Sequence, residues 1–302
     1  MGEPAVDKEQ YLSKIRRHIS EMPPLSTTVT KVMEICNHPN TSPHDLNRVI
    51  SLDPVLTGRV LRLVNSTYYS PANKVNSLTR AIIMLGLNTV VNLAASTAIM
   101  EKLGAKESFL ALSMDDFWTH SICVGVMAKS IAGIIGIPVA LQEEYFVAGM
   151  LHDLGKIPLN RCFASEYHQA LELVQKHHIS LNHAEKTIFD IDHCFVGEII
   201  AENWHLSQVL HDTLCYHHHP DEAEKENCQL TTVVAISNIA ANVLKIGSSG
   251  NCHPDKKMAS DLLKRLGVSW SEVRNIHETV IDEIDKAKIF LQISTNRSSY
   301  EN

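Results

Sequence analysis

Residues 143–156 read EEYFVAGMLHDLGK, and the chain is best approached from here. Phe146, Met150 and Leu154 recur at i, i+4 and i+8, one face of a helix. Glu143 and Glu144 suit the positive first turn of such a helix, and Gly155 with Lys156 suits its end. His152 and Asp153 then fall in the last turn, about 100° apart around the axis. An imidazole and a carboxylate so placed can reach one cation that takes further ligands from neighbouring helices. A buried carboxylate with no partner is expensive, so some such partner is required. A capping histidine beside an aspartate paired with Lys or Arg is the other arrangement the pair allows. The run from Gly149 to Lys156 is not a phosphate-binding P-loop. Its glycines are separated by MLHDL, one residue too many, no Ser or Thr follows the lysine, and the glycines do not precede a helix.

Histidine is the unusual component. The chain of 302 residues has 17, and 12 of them lie between His120 and His219. His120 shares a stripe with Val124, Met127 and Ile131, and Asp116 lies one turn earlier on the same side. His193 is followed by Val196, Gly197, Ile200 and Trp204 at +3, +4, +7 and +11, again an apolar face. Leu210, Thr213, Leu214 and His217 share another stripe, with His218 four residues after Leu214, and Val234, Asn238 and Ala241 line up on the next helix. Any one of these histidines alone reads as a hydrogen-bonded core residue. Four on inward faces of consecutive helices, converging with His152 and Asp153, point to a metal, because crowded imidazoles suppress one another's protonation and a divalent cation relieves that cost. His168, His177, His178, His205 and His211 sit in polar surroundings and read as surface residues, while His183 and His219 stay open.

Around this region the periodicity is helical almost throughout. Expected helices cover 8–20, about 25–36, a segment with Ser42 as N-cap and Pro43 at N1, and another from Asp53-Pro54. Further helices run from Ser77 to Gly86, from Asn88 to about Lys102, and from Asp115 to a stop at Gly136 and Pro138. After the central helix come 165–178, 181–189, three segments ending in SQVLHDTLCYHHH and CQLTTVVAISNIAANVLKIG, and a tail with helices at 255–266 and 270–292. Breaks fall at Pro23-Pro24 and at 103–114 around Gly104. The chain is therefore all-α, a multi-helix bundle with an N-terminal helical subdomain at 1–108, a histidine-bearing bundle at 109–247 and a helical extension at 248–302.

Composition sets outer limits. A hydrophobic share of 44% and a charged share of 20% are those of a soluble globular chain. A net charge of −7 argues against a general nucleic-acid surface, including for the helix pair at 43–65, which has the layout of a DNA-reading motif. No run approaches the roughly 18 apolar residues of a membrane span, and MGEPAVDKEQYL has neither the apolar region of a signal peptide nor a complete myristoylation pattern. Seven cysteines without a C-x-x-C pair, four of them (Cys36, Cys123, Cys194, Cys215) in helical apolar patterns, read as reduced thiols of a cytoplasmic protein.

The order of these residues resembles the HD superfamily of metal-dependent phosphohydrolases: a His on one helix, an HD pair on the next, a later His, an HH pair and a closing polar residue. More closely, the chain is similar to the HDOD family, the HD-related output domain of bacterial signalling proteins. The resemblance rests on LDPVLTGRVLRLVNSTYYS, SLTRAIIMLGLNTVVNL, FWTHSICVGVMAKSIA, FVAGMLHDLGKI, HCFVGEIIAENWHL and YHHHP, and covers roughly residues 19 to 245. It implies His120, His152, Asp153, His193, His217 and His218 as metal ligands. Asp116 takes a place where some HD-GYP relatives carry an extra carboxylate ligand. Lys156 matches the lysine that HD hydrolases aim at a phosphate. Two departures stand out. The closing Asp of the superfamily is Asn238 here, a neutral and weaker ligand, and DEAEKEN follows YHHHP where cyclic-di-GMP phosphodiesterases have their GYP part.

The resemblance implies a regulatory module that binds signalling protein partners around a site for one or two divalent transition metals, with Fe, Mn, Ni and Zn all compatible with imidazole and carboxylate ligands. The other function it implies is a metal-dependent phosphohydrolase acting on a nucleotide or related phosphoester, with Asp153 and Lys156 as catalytic residues.

Overall fold

The structure is a computed structural model and describes residues 8–22, 25–36, 42–103 and 111–295. The N-terminal residues before Lys8, the Pro23-Pro24 break, Gly104 and the boundary at residue 108 lie outside these, as does the side chain of Cys36. The described residues form helices and connecting turns, with no strand among them.

Six helices precede the histidine-bearing part: α1 (Lys8–Glu21), α2 (Thr27–Cys36), α3 (Pro43–Ile50), α4 (Pro54–Val64), α5 (Leu78–Leu85) and α6 (Leu87–Leu103). Their starts follow from local chemistry. Ser42 caps α3 in a reciprocal capping box with Asp45, and the Asp53 carboxylate accepts the Leu56 N–H at 2.9 Å to open α4. Gly86, at φ +89°, turns the chain through 116° between α5 and α6.

The centre of the molecule is α7 (Met114–Ile134), packed against α8 (Val139–Leu151). A short α9 (Lys156–Cys162) follows, then α10 (Ala164–His177), α11 (Leu181–Phe189), α12 (His193–Asn203), α13 (Gln208–Tyr216) and α14 (Cys228–Leu244). The tail forms α15 (Lys256–Leu266), α16 (Trp270–Asn275), α17 (His277–Ala287) and α18 (Ile289–Thr295). By length and composition α7 could cross a membrane, but 72% of its apolar window is buried inside this fold, as befits the central helix of a bundle.

Three element boundaries differ from the periodicity. Pro138 is extended and sits at the N-cap of α8, so the helix starts at Val139, and Glu143 and Glu144 lie in its second turn rather than its first. Glu143 is buried there by an ion pair with Lys129 and a hydrogen bond from the Tyr69 hydroxyl at 2.8 Å. LGKIPLNRCF holds the extra helix α9. The expected tail helix at 270–292 is divided at Ile276 and Lys288, the C-caps of α16 and α17.

Close backbone approach, rather than long side chains, sets the spacing at the centre. A Cβ on Gly149 would lie 2.9 Å from the Gly125 Cα, and one on Gly125 would lie 2.6 Å from the Phe146 carbonyl oxygen. The α7–α8 crossing therefore needs glycine on both sides. Gly155 is tighter still, because its Cβ would fall 1.9 Å from the His193 carbonyl oxygen and 2.7 Å from the Gly197 nitrogen. That approach sets the start of α9 directly on α12. The tail closes the structure from the other side: α17 packs on α7, and Phe290 of α18 meets Phe146 and Tyr68 at ring distances of 5.1 and 5.9 Å.

Gly155→Ala forces backbone apart where no flexible side chain can yield, and is expected to destabilise the protein by on the order of 3 kcal/mol. Gly58→Ala, in exposed helix with nothing near a new Cβ, should stabilise it by about 0.5–1 kcal/mol. Urea midpoints at unchanged slope check both. Equal effects of the two substitutions would contradict this account of the packing.

Candidate metal centre

The sequence places His152 and Asp153 in the last turn of a helix; in the structure His152 is the C-cap of α8 and Asp153 lies in the turn just beyond it. That turn points both side chains inward: His152 is 1% exposed and Asp153 is fully buried. His120 projects from α7 and Asn238 from α14, with His120 Nε2 at 3.1 Å from Asn238 Oδ1. His193 opens α12, whose N-cap Asp192 accepts the Phe195 N–H at 3.0 Å. His217 and His218 follow the end of α13. Seven of the eight residues picked from the sequence as ligands, all but Asp116, thus converge on one spot.

Asp153 joins two groups of donors. Its Oδ2 lies 3.1 Å from His152 Nε2 and 3.9 Å from His120 Nε2. Its Oδ1 lies 3.4 Å from His193 Nε2 and 3.5 Å from His217 Nε2. Within the first group (His120, His152, Asp153) one ligand atom per residue lies within 4.8 Å of every other, and the same holds for His193, Cys194, His217 and His218. His193 Nε2 is 3.1 Å from His218 Nε2.

The outer nitrogens fix the ring orientations. His152 Nδ1 donates to the Gly149 carbonyl at 2.7 Å, and His217 Nδ1 to the Thr213 carbonyl at 2.9 Å. Both rings therefore present an Nε2 lone pair to the centre, the arrangement of metal-bound histidines. For His193 the outer partner is Glu185, at 2.5 Å from Nδ1, which also accepts the His193 backbone N–H at 2.9 Å and the Tyr167 hydroxyl at 3.1 Å. Glu185 is fully buried, and sequence reasoning missed it. Two inner atoms, His152 Nε2 and Asp153 Oδ1, are buried without any hydrogen-bond partner. An imidazole nitrogen and a shared carboxylate oxygen left buried without partners are what a divalent transition metal would satisfy. The residues fit the ion that the histidine pattern implied.

Lys156 occupies a different place from a phosphate-facing one. Its side chain is buried, donating to Asp153 Oδ2 at 2.7 Å and to the Ser249 carbonyl at 3.1 Å. Ser249 belongs to a strap from Ile246 to Gly250 laid across α7. Gly247, at φ +64°, would carry its Cβ 2.3 Å from the His120 nitrogen, and the Ser248 N–H donates to the Asp116 carbonyl at 3.0 Å. Asp116 itself faces solvent, away from the inner donors. Among the histidines read as surface residues, His168, His177, His178 and His205 are exposed, and so are the open cases His183 and His219; His211 is half-buried. A cavity of about 180 Å³ adjoins the centre, lined among others by His217, His218, Asn238, Asn242, Asn251 and His253.

Burial dominates the titration of the centre. It lowers His120 to about 3, with His152 and Lys156 adding to the effect and Asp153 and Asn238 opposing it. It lowers His217 to about 4 and His218 well below the usual histidine value. For Asp153 burial pushes the other way, but the neighbouring His152 and Lys156 outweigh it and hold the carboxyl well below its usual range. His120, His217 and His218 thus stay neutral beside an ionised carboxylate.

These helices around a histidine-rich HD centre define an HDOD-type domain. The profile of the HDOD domain family matches residues 22–220, and the chain belongs to that family. Its structure is similar to an HDOD domain protein of unknown function from Geobacter sulfurreducens, at 25% identity and a TM-score of 0.72 over 94% of this chain and 99% of that one. It is similar in fold to a provisionally assigned signal transduction protein from Marinobacter aquaeolei VT8, at 18% identity and a TM-score of 0.71 over 97% of this chain and 67% of that one. It is also similar in fold to a provisionally assigned phosphohydrolase from Shewanella amazonensis SB2B, at 20% identity and a TM-score of 0.64 over 91% and 98%. An uncharacterised protein of Treponema pallidum (strain Nichols) is 22% identical over 232 residues, 77% of this chain but 44% of the relative, so the chain spans less than half that protein's length.

The depressed histidines set a pH dependence. Their usual value is 6.5, so above that pH folded and unfolded chains both hold them neutral and their contribution is fully present. As pH falls from 6.5 toward 4 and 3, the unfolded chain takes up protons that the folded one refuses, and stability drops. The metal-stripped protein is expected to lose on the order of 10 °C in melting temperature between pH 7 and pH 4. A melting temperature that is flat or rising over this interval would contradict the buried neutral cluster.

Proposed function

We propose that this chain is a bacterial signal-transduction module, a helical scaffold that works in the cytoplasm through protein partners and holds a divalent transition metal at its buried centre. The placement of Lys156 carries this reading. Its ammonium is spent on Asp153 and on the strap at Ser249, inside the protein, rather than held free for a phosphate. The neutral Asn238 in place of a closing carboxylate supports the same reading, since it weakens a second metal position. The ligands would be His120, His152, Asp153, His193, His217 and His218, with Asn238 as a weak donor and Glu185 orienting His193. Fe, Mn, Ni and Zn all suit this donor set, and a bound ion would supply Lewis acidity and a water of lowered pKa. Residues 1–108 would form the N-terminal subdomain, 109–247 the metal-bearing bundle and 248–302 the extension whose first residues lock Lys156.

A phosphohydrolase is the second reading, favoured by the cavity that reaches His217 and His218. There Asp153 would bridge two ions and Lys156 would have to leave Ser249 to meet a phosphoester.

Turnover of a phosphodiester panel by the metal-loaded chain, compared with its His152→Ala variant, separates the two. The regulatory reading expects no difference between parent and variant in hydrolysis. It also expects a metal-dependent change in amide hydrogen exchange along surface helices of the parent alone. Phosphoester hydrolysis present in the parent and lost in both His152→Ala and Lys156→Met would overturn it in favour of the second reading.

A further inference from the structure

A second cluster of metal-ligating side chains lies outside the buried centre, on the hairpin of α12 and α13. Glu198 projects from α12, and His211 and Cys215, four residues apart, share one face of α13. All three are half-buried, and one ligand atom from each lies within 4.8 Å of the other two. Cys215 Sγ is 3.8 Å from His211 Nε2 and 3.9 Å from His211 Nδ1. A tetrahedral ion with nitrogen at about 2.0–2.1 Å and sulfur at about 2.3 Å holds those two donors about 3.6 Å apart. The pair is already close to the spacing of two ligands on a shared ion.

The second observation is the outer partner of His211. Its Nδ1 lies 3.3 Å from Asp212 Oδ1. Asp212 is buried and held by Gln208 Nε2 at 2.8 Å, Asn227 Nδ2 at 2.9 Å and the Glu224 N–H at 3.0 Å. A carboxylate so fixed keeps the proton on Nδ1 and leaves the Nε2 lone pair free for an ion, the carboxylate–histidine–metal arrangement. Glu202, one turn beyond Glu198 on α12, adds a further carboxylate along the same face.

We propose that Glu198, His211 and Cys215 form a second metal site, for a zinc-like divalent ion, that clips α12 to α13. Sulfur and imidazole ligands select a borderline ion over Mg²⁺ or Ca²⁺, and the half-exposed position leaves a coordination place for water. Binding exchanges the Cys215 thiol proton, released to solvent, for a sulfur–metal bond. The clip is separate from the inner cluster but shares its helices, since α12 begins at His193 and α13 ends at His217.

Cobalt(II) tests the site, because thiolate coordination gives it a charge-transfer absorption in the near ultraviolet. Metal-free, reduced, untagged full-length protein is titrated with Co²⁺ alone. The absorption is expected in the parent, in His152→Ala and in Cys194→Ser, which removes the thiol nearest the inner histidines. It should be lost in Cys215→Ser, and lost or strongly weakened in His211→Gln, at a side chain 23% exposed where folding is readily kept. Circular dichroism confirms that each variant is folded. No absorption in the parent at equimolar Co²⁺, its survival in Cys215→Ser, or its loss in Cys194→Ser would overturn the proposal.

Discussion

The fully buried carboxylate of Asp153 is the constraint on which the rest of the structure turns. An ionised carboxylate taken out of water is tolerated only with close positive partners and satisfied oxygens. Lys156 supplies one such partner at Oδ2, while Oδ1 faces His193 and His217 without a hydrogen bond of its own. His120 and His217 are held neutral by burial, and His152 and His217 are aimed by their outer nitrogens, so the centre offers lone pairs. A cation at this spot would complete both oxygens and the facing nitrogens at once. The same physics explains why stability should depend on protons in the metal-free chain.

Everything that brings these groups together is backbone geometry. The glycine contact between α7 and α8 lets His120 approach the end of α8, and Gly155 lets α9 begin against the first turn of α12, where His193 sits. The strap through Gly247 and Ser249 then seals the outer side and takes up the Lys156 ammonium. Placing Lys156 and Asp153 one turn apart at the start of α9 gives an internal ion pair that holds the centre before any metal arrives. This internal neutralisation is the observation on which the proposed regulatory reading rests.

Much of this was legible in the sequence. Apolar stripes of period 3.6 carried His120, His193 and His217 inward, and the caps at Ser42 and Asp53 fell where their residue types require. Glu185 was hidden because it lies on the nine-residue α11, flanked by Lys186, Thr187 and other polar residues, and only the fold shows it against the N-terminus of α12. Asp116 shares a stripe with His120 in sequence, yet it lies in the first turns of α7, where the strap takes its carbonyl and its side chain faces solvent. His211 and Cys215 read as a surface histidine and a core cysteine. Only the antiparallel contact of α12 with α13 brings Glu198 to them.

The central claim, that the buried histidines and Asp153 are a metal centre, is tested most directly by elemental analysis of untagged protein beside its His152→Ala variant. The account predicts at least one transition-metal ion per chain in the parent beyond what the folded variant retains. Equal metal content in the two, or none in the parent after reconstitution, would contradict it.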